Sequence, residues 1–453
     1  MIEQFRRKPG SETMPIDWST LLSKRRLGEE TPRPAEDGRS EFQKDYDRVV
    51  FSRAFRRLQG KTQVHPLPDS DHVHTRLTHT LEVASVGRSL GARVGLHLEQ
   101  EKKLPEGIHP QDIGSILQAA CLAHDIGNPP FGHGGEYAIR AWFQQNNVVQ
   151  RELSNQLERL DLEGYEGNAQ GLRILTQLEG YLFDGGLRLT FATLGTFMKY
   201  PWSSGHAAST GTEKFGFFQT ERDYMEEIAG ELGLISRGAG AWARHPFAFL
   251  VEAADDICYS IIDLEDALEV GILDFNQVAS IFFGGLTEDD RAEYATISTK
   301  DQPRQIAYLR GKVIDYLVQQ AFSVFIAKEK EIINGDYSDN LLLRCDEGAR
   351  EIVKNAKLLA YEKVFSTPGK TQIEIGAYAI IDTLLKAFCD AYIEFKHEKP
   401  SFKSQKVFDL LGVNAPEKTE NLYRAFIRIA DFVSSSTDKN AAQLSRRLSG
   451  IVF

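Results

Sequence analysis

Hydrophobic residues recur at steps of three and four along most of the chain, which is the spacing of one face of an α-helix. The pattern is clearest in four segments, which begin near Thr78, before His124, at Pro246 and near Ile306. Alternation of apolar and polar residues, which is typical of half-buried strands, is scarce. Two stretches rich in Gly and Ser, 200–216 and 237–241, predict loops. The sequence therefore predicts an all-α, multi-helix fold.

In the first of these segments, His79 shares an apolar face with Val83, Val86, Leu90 and Val94. A lone histidine on such a face is more often a satisfied core residue than a metal ligand. Its position therefore gains meaning only together with other candidate ligands elsewhere in the chain.

His124 and Asp125 follow an apolar helical face and precede Ile-Gly-Asn-Pro-Pro-Phe-Gly-His, which stops a helix and opens a loop. At a helix end, neighbouring side chains splay, so an imidazole and a carboxylate can point at one cation. The third apolar segment carries Asp255 and Asp256, where unpaired charge would be costly. A cation would compensate for this charge, and a mixed nitrogen and oxygen shell suits Mn²⁺, Fe²⁺, Ni²⁺ or Mg²⁺.

The chain has 453 residues, a hydrophobic content of 42% and a formal net charge of −11. This charge argues against nucleic-acid binding over the whole surface but allows a local basic pocket. No segment approaches the length of a membrane span, and no signal sequence is visible, which predicts a cytoplasmic protein. The four isolated cysteines predict buried, reduced thiols.

An ordered set of motifs resembles the His…His-Asp…Asp signature of the HD superfamily, and more closely the bacterial deoxyguanosine triphosphate triphosphohydrolases (dGTPases). The three central motifs are Arg76-Leu-Thr-His79, His124-Asp125-Ile-Gly-Asn and Glu252-Ala-Ala-Asp255-Asp256. Five further segments match: 42–51, 54–59, 61–64, 166–171 and 261–266. The resemblance runs from about Trp18 to the C-terminus and is densest before residue 270.

The expected organisation has three parts. Residues 1–40, rich in charged residues, Pro and Gly, form an N-terminal arm in which Trp18, Leu21 and Leu22 could dock on the body. The resemblance implies an HD-domain catalytic core over 41–275. It also implies a helical C-terminal region over 276–453, which packs on the core and contributes to oligomer contacts.

The resemblance implies four metal ligands: His79, His124, Asp125 and Asp255. Asp256 points to another helical face, so a structural salt bridge or cap is expected for it. The helical phase places Tyr259 and Asp263 on the same surface as Asp255. His72 and His74 lie in a polar segment and are expected to be solvated.

His133 follows His124 by nine residues, on a loop flanked by Gly, and Glu136 follows three residues later. In the family the matching histidine and acid form the catalytic pair, with the acid orienting the imidazole. The alternative is that His133 caps the following helix and Glu136 is an ordinary acid of its first turn.

The resemblance also implies a nucleotide pocket. Its phosphate contacts would come from Arg76, Lys199, Tyr200, Asn168 and Lys214. Tyr259 would lie beneath the sugar, where its ring collides with a 2′-hydroxyl, and Asp263 would accept the 3′-hydroxyl hydrogen bond. Gln63, with Val64 packing beside it, would contact the base or sugar edge. The alternatives are solvated surface charges for the cations, a core aromatic for the tyrosine and a paired acid for the aspartate.

The function implied is metal-dependent hydrolysis of a deoxynucleoside triphosphate, with dGTP favoured, to deoxynucleoside and tripolyphosphate. Two alternatives stay open. One is another HD phosphohydrolase, acting for example on nucleoside monophosphates or cyclic dinucleotides. The other is a protein that senses nucleotides or single-stranded DNA and hydrolyses only secondarily. The resemblance further implies a homo-oligomer, a hexamer or tetramer, with an effector nucleotide or single-stranded DNA as partner. The segment from Tyr423 to Asp438 also resembles a C-terminal helix of the family, but Ser-Ser-Ser-Thr at 434–437 departs from the family's pattern. Arg424 and Arg428 are therefore not assigned to the site.

Overall fold

The computed structural model describes residues 17–29, 38–63, 74–180, 184–397 and 399–451. Within these ranges the chain forms 22 α-helices and one two-stranded hairpin, which confirms the all-α fold. The α-helices are α1 Trp18–Leu21, α2 Glu41–Val50, α3 Arg53–Arg57, α4 Arg76–Gln100, α5 Pro110–Ala123, α6 Gly132–Gln145, α7 Asn147–Glu152, α8 Gln156–Glu163, α9 Gly167–Arg173, α10 Phe191–Phe197, α11 Ala207–Thr212, α12 Arg222–Glu231, α13 Pro246–Glu269, α14 Phe275–Phe282, α15 Glu288–Ile297, α16 Gln302–Ala327, α17 Glu329–Ile333, α18 Glu347–Leu359, α19 Pro368–His397, α20 Phe402–Asp409, α21 Leu422–Ser434 and α22 Asp438–Leu448.

Shorter helical turns complete the secondary structure. Two π-helical segments lie at Ile174–Leu178 and Ala360–Val364. The 3₁₀ turns are Leu58–Gly60, Gln219–Glu221, Phe283–Gly285, Leu341–Arg344 and Gly412–Asn414. The hairpin consists of β1 Ser236–Gly238 and β2 Ala241–Trp242, which run antiparallel.

Helices α4 and α5 pack closely against each other because α4 carries Gly87, Gly91 and Gly95 on the face that meets α5. A methyl group at Gly91 would lie 2.7 Å from the carbonyl oxygen of Ile113. At Gly95 it would lie 2.3 Å from the carbonyl oxygen of Pro110. Only glycine permits this approach, which brings the start of α4 and the end of α5 together.

Local sequence explains where the two long helices of the core begin. The hydroxyl of Thr75 accepts a hydrogen bond from the N–H of Thr78, which caps α4. In α13, Pro246 occupies the first turn and the ring of His245 accepts from the N–H of Phe247. The apolar faces predicted for both helices are buried. Among the residues described, no helix is long and apolar enough to cross a membrane.

The arm and the C-terminal region both pack on the rest of the molecule. Trp18 is buried and stacks on Phe247, with ring centroids 5.2 Å apart, and Leu21 and Leu22 are also buried. Helix α19 packs against α6, α20, α21 and α22. A second hydrophobic cluster joins side chains of 138–218 to side chains of 381–441, so the C-terminal helices share a core with the central ones.

The loops predicted over 200–216 and 237–241 are interrupted by the short helix α11 and by the residues of the hairpin. His206 accepts a hydrogen bond from the N–H of Ala208 and so caps the short helix α11. Gly238 and Gly240, with φ of +116° and +73°, make the tight turn between β1 and β2. Short elements of this kind are too brief to leave a periodic pattern.

Candidate functional site

Four side chains from three elements converge at one point in the core. His79 comes from α4, His124 and Asp125 follow the end of α5, and Asp255 comes from α13. One ligand atom from each of His79, His124 and Asp125 lies within 4.8 Å of the others. Oδ1 of Asp255 lies 3.1 Å from Nε2 of His79 and 3.5 Å from Nε2 of His124. The structure thus brings together all four residues expected to bind the metal.

Hydrogen bonds orient these side chains. Nδ1 of His124 lies 2.6 Å from the carbonyl oxygen of Cys121, which holds the imidazole with Nε2 directed at the carboxylates. One oxygen of Asp125 accepts from Asn128. The other accepts from Arg76 at 2.6 Å. Arg76 therefore supports a candidate ligand, and the phosphate contact expected of it stays a prediction.

The charges at the cluster fit a divalent cation. Burial opposes ionisation of Asp125, but the nearby charges of Arg76 and His124 outweigh it and lower the pKa to about 2. Burial alone would lower the pKa of His124, yet Asp125 and Asp255 raise it to about 9. Protons on the imidazole and a divalent cation are alternative ways to balance the two carboxylates. Two imidazole nitrogens with two carboxylates form a donor set that Mn²⁺, Fe²⁺ or Ni²⁺ accepts.

The loop after Asp125 packs directly against the backbone of helix α9, because Gly127 in this loop has no side chain. A methyl group there would lie 2.1 Å from the carbonyl oxygen of Gly167 and 2.2 Å from the N–H nitrogen of Gly171. This close contact places the start of α9, which carries Asn168, beside the cluster. The glycines thus join two segments whose motifs are 40 residues apart in sequence, from 127 to 167.

A cavity of about 370 Å³ opens beside the cluster. Thirteen of the fourteen residues predicted for the site line it. They are Gln63, Arg76, His79, His124, Asp125, His133, Glu136, Asn168, Lys199, Tyr200, Lys214, Asp255 and Tyr259. Its volume is in the range of small-molecule sites.

Asp263 differs from the expectation, since it is not among the residues that line this cavity. It is only 2% exposed, and its Oδ2 has no hydrogen-bond partner among the described residues. Eight residues of α13 separate it from Asp255, which is roughly 12 Å along a helix axis. Burial raises the pKa of Asp263 well above its ordinary value, and the charges of Asp266 and Asp255 add to the effect.

His133 lies in the first turn of α6, so the prediction of a loop position was wrong. Phe131 and Gly132 turn the chain with φ of +65° and +57°, which starts the helix earlier than the glycine-rich sequence indicates. The His133 side chain is 74% exposed, and its Nδ1 lies 4.0 Å from Oε2 of Glu136. Glu136 instead accepts hydrogen bonds from Arg140 and Lys214. The two candidate catalytic groups are adjacent but not hydrogen-bonded.

Two lysines bring positive charge to the cavity wall. Nζ of Lys199 lies 3.4 Å from Oε1 of Glu252, and Nζ of Lys214 lies 2.7 Å from Oε1 of Glu166. Burial by itself would lower the pKa of Lys214, but the carboxylates around it raise the pKa above the ordinary value. The lysines are thus charged and held in place before any ligand binds.

Several lining residues could not be inferred from the motifs. Phe365 stacks on Tyr259, with ring centroids 5.7 Å apart, and Nζ of Lys370 lies 4.2 Å from the centre of the Phe365 ring. Both come from the C-terminal region, where no local pattern marks them. Glu166 and Glu252 also line the cavity, and their positions within the quoted motifs were the signal that could have found them.

His74 is not solvated, in contrast to the expectation. Its Nδ1 contacts Asp266, and its Nε2 lies 3.0 Å from Oε1 of Glu82. Partial burial lowers its pKa, but the two carboxylates outweigh burial and raise the pKa to about 10. Partners 8 and 192 residues away explain why a local reading of the sequence failed. His72 and Val64 lie outside the described residues.

Comparison with known proteins agrees with this geometry. The HD domain family matches residues 76–176, which contain the first three candidate ligands. A deoxyguanosinetriphosphate triphosphohydrolase-like protein of Pseudomonas aeruginosa is 48% identical over 441 residues, covering 96% of this chain and 99% of that protein. A protein of the same description from Synechocystis sp. is 40% identical over 451 residues, covering 96% and 100%. The deoxyguanosinetriphosphate triphosphohydrolase of Klebsiella pneumoniae is 34% identical over 425 residues, covering 82% of each. The chain therefore belongs to the HD-domain family of deoxyguanosinetriphosphate triphosphohydrolases and triphosphohydrolase-like proteins.

Proposed function

We propose that this protein hydrolyses a deoxynucleoside triphosphate, with dGTP as the favoured substrate, to the deoxynucleoside and tripolyphosphate. The observation that carries the proposal is the shared cavity: the His/Asp cluster, two charged lysines and the Tyr259 ring all face one space. The His/Asp cluster suits a divalent cation, the lysines suit a polyphosphate, and the Tyr259 ring suits a sugar. The names of the relatives support the same substrate class.

His79, His124, Asp125 and Asp255 would hold the divalent ion. When bound, the ion supplies Lewis-acid stabilisation of charge on an α-phosphoryl oxygen. The residues around the ligands keep that geometry: Arg76 and Asn128 fix Asp125, and the Cys121 carbonyl fixes His124.

Lys199 and Lys214 would bind the triphosphate. Each already contacts a buried or half-buried carboxylate, Glu252 or Glu166, so each ammonium group is oriented before the nucleotide enters. Charge-assisted hydrogen bonds to phosphate oxygens are stronger than neutral ones. The α-phosphate would then lie beside the His/Asp cluster.

Hydrolysis forms a bond from a water oxygen to the α-phosphorus and breaks the bond from that phosphorus to the 5′-oxygen. The water loses a proton and the 5′-oxygen gains one. We assign a proton transfer in this step to His133, because it is the histidine of the cavity lining that is not a candidate metal ligand.

Tyr259 would select the deoxyribose. Its ring is fixed by stacking on Phe365, so a 2′-hydroxyl beneath the sugar could not displace it without breaking that contact. Asp263, one turn further along α13, would accept the 3′-hydroxyl hydrogen bond. Its Oδ2, which has no hydrogen-bond partner among the described residues, supports this role.

The test is to load the protein with Mn²⁺ and to incubate it with each of the four deoxynucleoside triphosphates and with GTP, one nucleotide in each reaction. The products are then separated by anion exchange. Tripolyphosphate together with deoxyguanosine is the expected result with dGTP. Release of orthophosphate or pyrophosphate instead would favour another kind of HD phosphohydrolase and contradict the proposal.

A further inference from the structure

The C-terminal helix α22 contacts two segments that carry site residues through its first residue, Asp438. This side chain is buried, with 4% exposure. Its Oδ2 accepts hydrogen bonds from the backbone N–H of Thr62 at 3.0 Å and from the Thr62 hydroxyl at 2.6 Å. Its Oδ1 accepts from the backbone N–H of Phe131 at 2.8 Å. One carboxylate therefore joins two segments that are distant in sequence.

Each of these segments carries a residue of the candidate site. Thr62 directly precedes Gln63, and Phe131 lies two residues before His133. Phe131 has a φ of +65°, a conformation that costs free energy in a residue with a large side chain. The hydrogen bond to Asp438 helps to hold it there. A small cavity of about 70 Å³ is lined by Gln63, His133 and Asp438 together.

Further contacts fix the same C-terminal turn. The buried ammonium group of Lys61 donates to the carbonyl oxygen of Ser434 and to that of Asn128, in the loop after the His-Asp pair. Gly60 packs against Thr437, and a methyl group at Gly60 would lie 2.6 Å from Cγ2 of that threonine. The turn at 434–438 is therefore connected to the segment that precedes Gln63 and to the loop that precedes His133.

We propose that Asp438 is a positioning residue that fixes the backbone of Gln63 and His133, and so sets where the proposed base or sugar contact and the proposed proton-transfer group lie. This inference rests on the proposed function for its effect on turnover. Its effect on the backbone at 62–63 and 131–133 does not depend on that function.

The substitution Asp438→Asn keeps the size of the side chain but replaces one acceptor oxygen by an amide group. At least one of the three hydrogen bonds is then lost, and the charge that strengthens the others is removed. Displacement of a catalytic group by about 1 Å can lower the rate by roughly a hundredfold. The matched control is Asp45→Asn, because Asp45 also accepts from a threonine N–H and hydroxyl, those of Thr190, at 3.0 and 2.6 Å. Asp45 does not line the cavity.

The experiment compares both variants with the wild-type protein by metal content, by kcat and KM for dGTP, and by hydrogen–deuterium exchange of the 128–136 segment. We expect Asp438→Asn to retain the metal, to lose roughly a hundredfold in kcat with a smaller change in KM, and to exchange faster at Phe131 and His133. Asp45→Asn is expected to retain the wild-type kcat and the wild-type exchange of this segment.

Wild-type kcat and wild-type exchange in Asp438→Asn would overturn the inference, as would an equal loss in both variants. If the wild-type protein released no tripolyphosphate, the proposed function would fail, whereas the exchange measurement would still decide the role of Asp438. Should Asp438→Asn not fold, Thr62→Val removes a single hydrogen bond of the set. It is expected to show the same pattern in weaker form, and unchanged kcat and exchange in that variant would reject the proposal.

Discussion

Nε2 of His79 and Oδ1 of Asp255 lie 3.1 Å apart, although 176 residues separate them along the chain. The packing of α13 against α4 makes this contact possible. Burial alone would raise the pKa of Asp255, but His124 and His79 beside it lower that pKa well below its ordinary value. The pair is the structural basis of the proposed metal centre.

The proton-transfer role of His133 predicts a separation of binding from turnover. His133→Ala should retain metal and nucleotide binding but lower kcat by about 10²- to 10⁴-fold, the usual contribution of a general acid or base. The measurement is kcat and KM for dGTP with metal content determined on the same sample. Wild-type kcat in this variant would show that His133 takes no part in proton transfer and only contributes to the start of α6. The exposed His397, which pairs with Glu152 away from the cavity, provides the control His397→Ala.

Phosphate binding by Lys199 predicts a change in KM. Lys199→Met should raise KM for dGTP by about tenfold, which corresponds to roughly 1.4 kcal/mol, the scale of one charge-assisted hydrogen bond. Lys357→Met is the matched control, because Lys357 pairs with Asp256 at 3.2 Å and does not line the cavity. Equal values of KM in the two variants would show that Lys199 does not bind the triphosphate.

Exclusion of ribonucleotides by Tyr259 predicts a change in selectivity. Tyr259→Ala should lower the ratio of kcat/KM for dGTP to kcat/KM for GTP by at least about tenfold, since the ring no longer blocks a 2′-hydroxyl. The control is Tyr294→Ala, which removes a tyrosine that packs on Phe283, with ring centroids 4.7 Å apart, outside the cavity. An unchanged ratio in Tyr259→Ala would show that another group reads the sugar.

His74 predicts a specific dependence of stability on pH. Its pKa is raised from 6.5 to about 10 in the folded protein, so its contribution is complete below pH 6.5 and is lost as pH rises through about 10. His74→Gln should therefore lower the free energy of unfolding by up to a few kcal/mol at pH 6 and much less above pH 10. Urea unfolding at both pH values measures this difference. An equal loss at both would contradict the charged pair with Asp266 and Glu82.

The convergence of the four candidate ligands could be predicted from the sequence because their segments have local signals. His79 lies on a regular apolar face, and His124 and Asp125 stand at a helix end marked by Gly and Pro. Asp256 also behaves as expected: it accepts from Asn340 and Lys357, away from the cluster. Helical periodicity was sufficient to separate the roles of two adjacent acids.

Other features depend on tertiary contacts that no local pattern encodes. His74 meets Asp266 only after α4 and α13 have packed. Phe365 and Lys370 reach the cavity from a region without a motif. The early start of α6, which places His133 in a helix, depends on the left-handed turn at Phe131, a conformation that a phenylalanine seldom adopts. Such positions become visible only when the partner segment is known.

The most direct test of the central claim compares two neighbouring residues. Asp255→Asn and Asp256→Asn remove the same charge from adjacent positions on α13, but only Asp255 faces the imidazoles. The measurement is bound Mn²⁺ per chain after dialysis, by elemental analysis of each folded variant. We predict that the wild-type protein and Asp256→Asn retain one ion and that Asp255→Asn loses it. Equal metal content in the two variants would contradict the proposed centre.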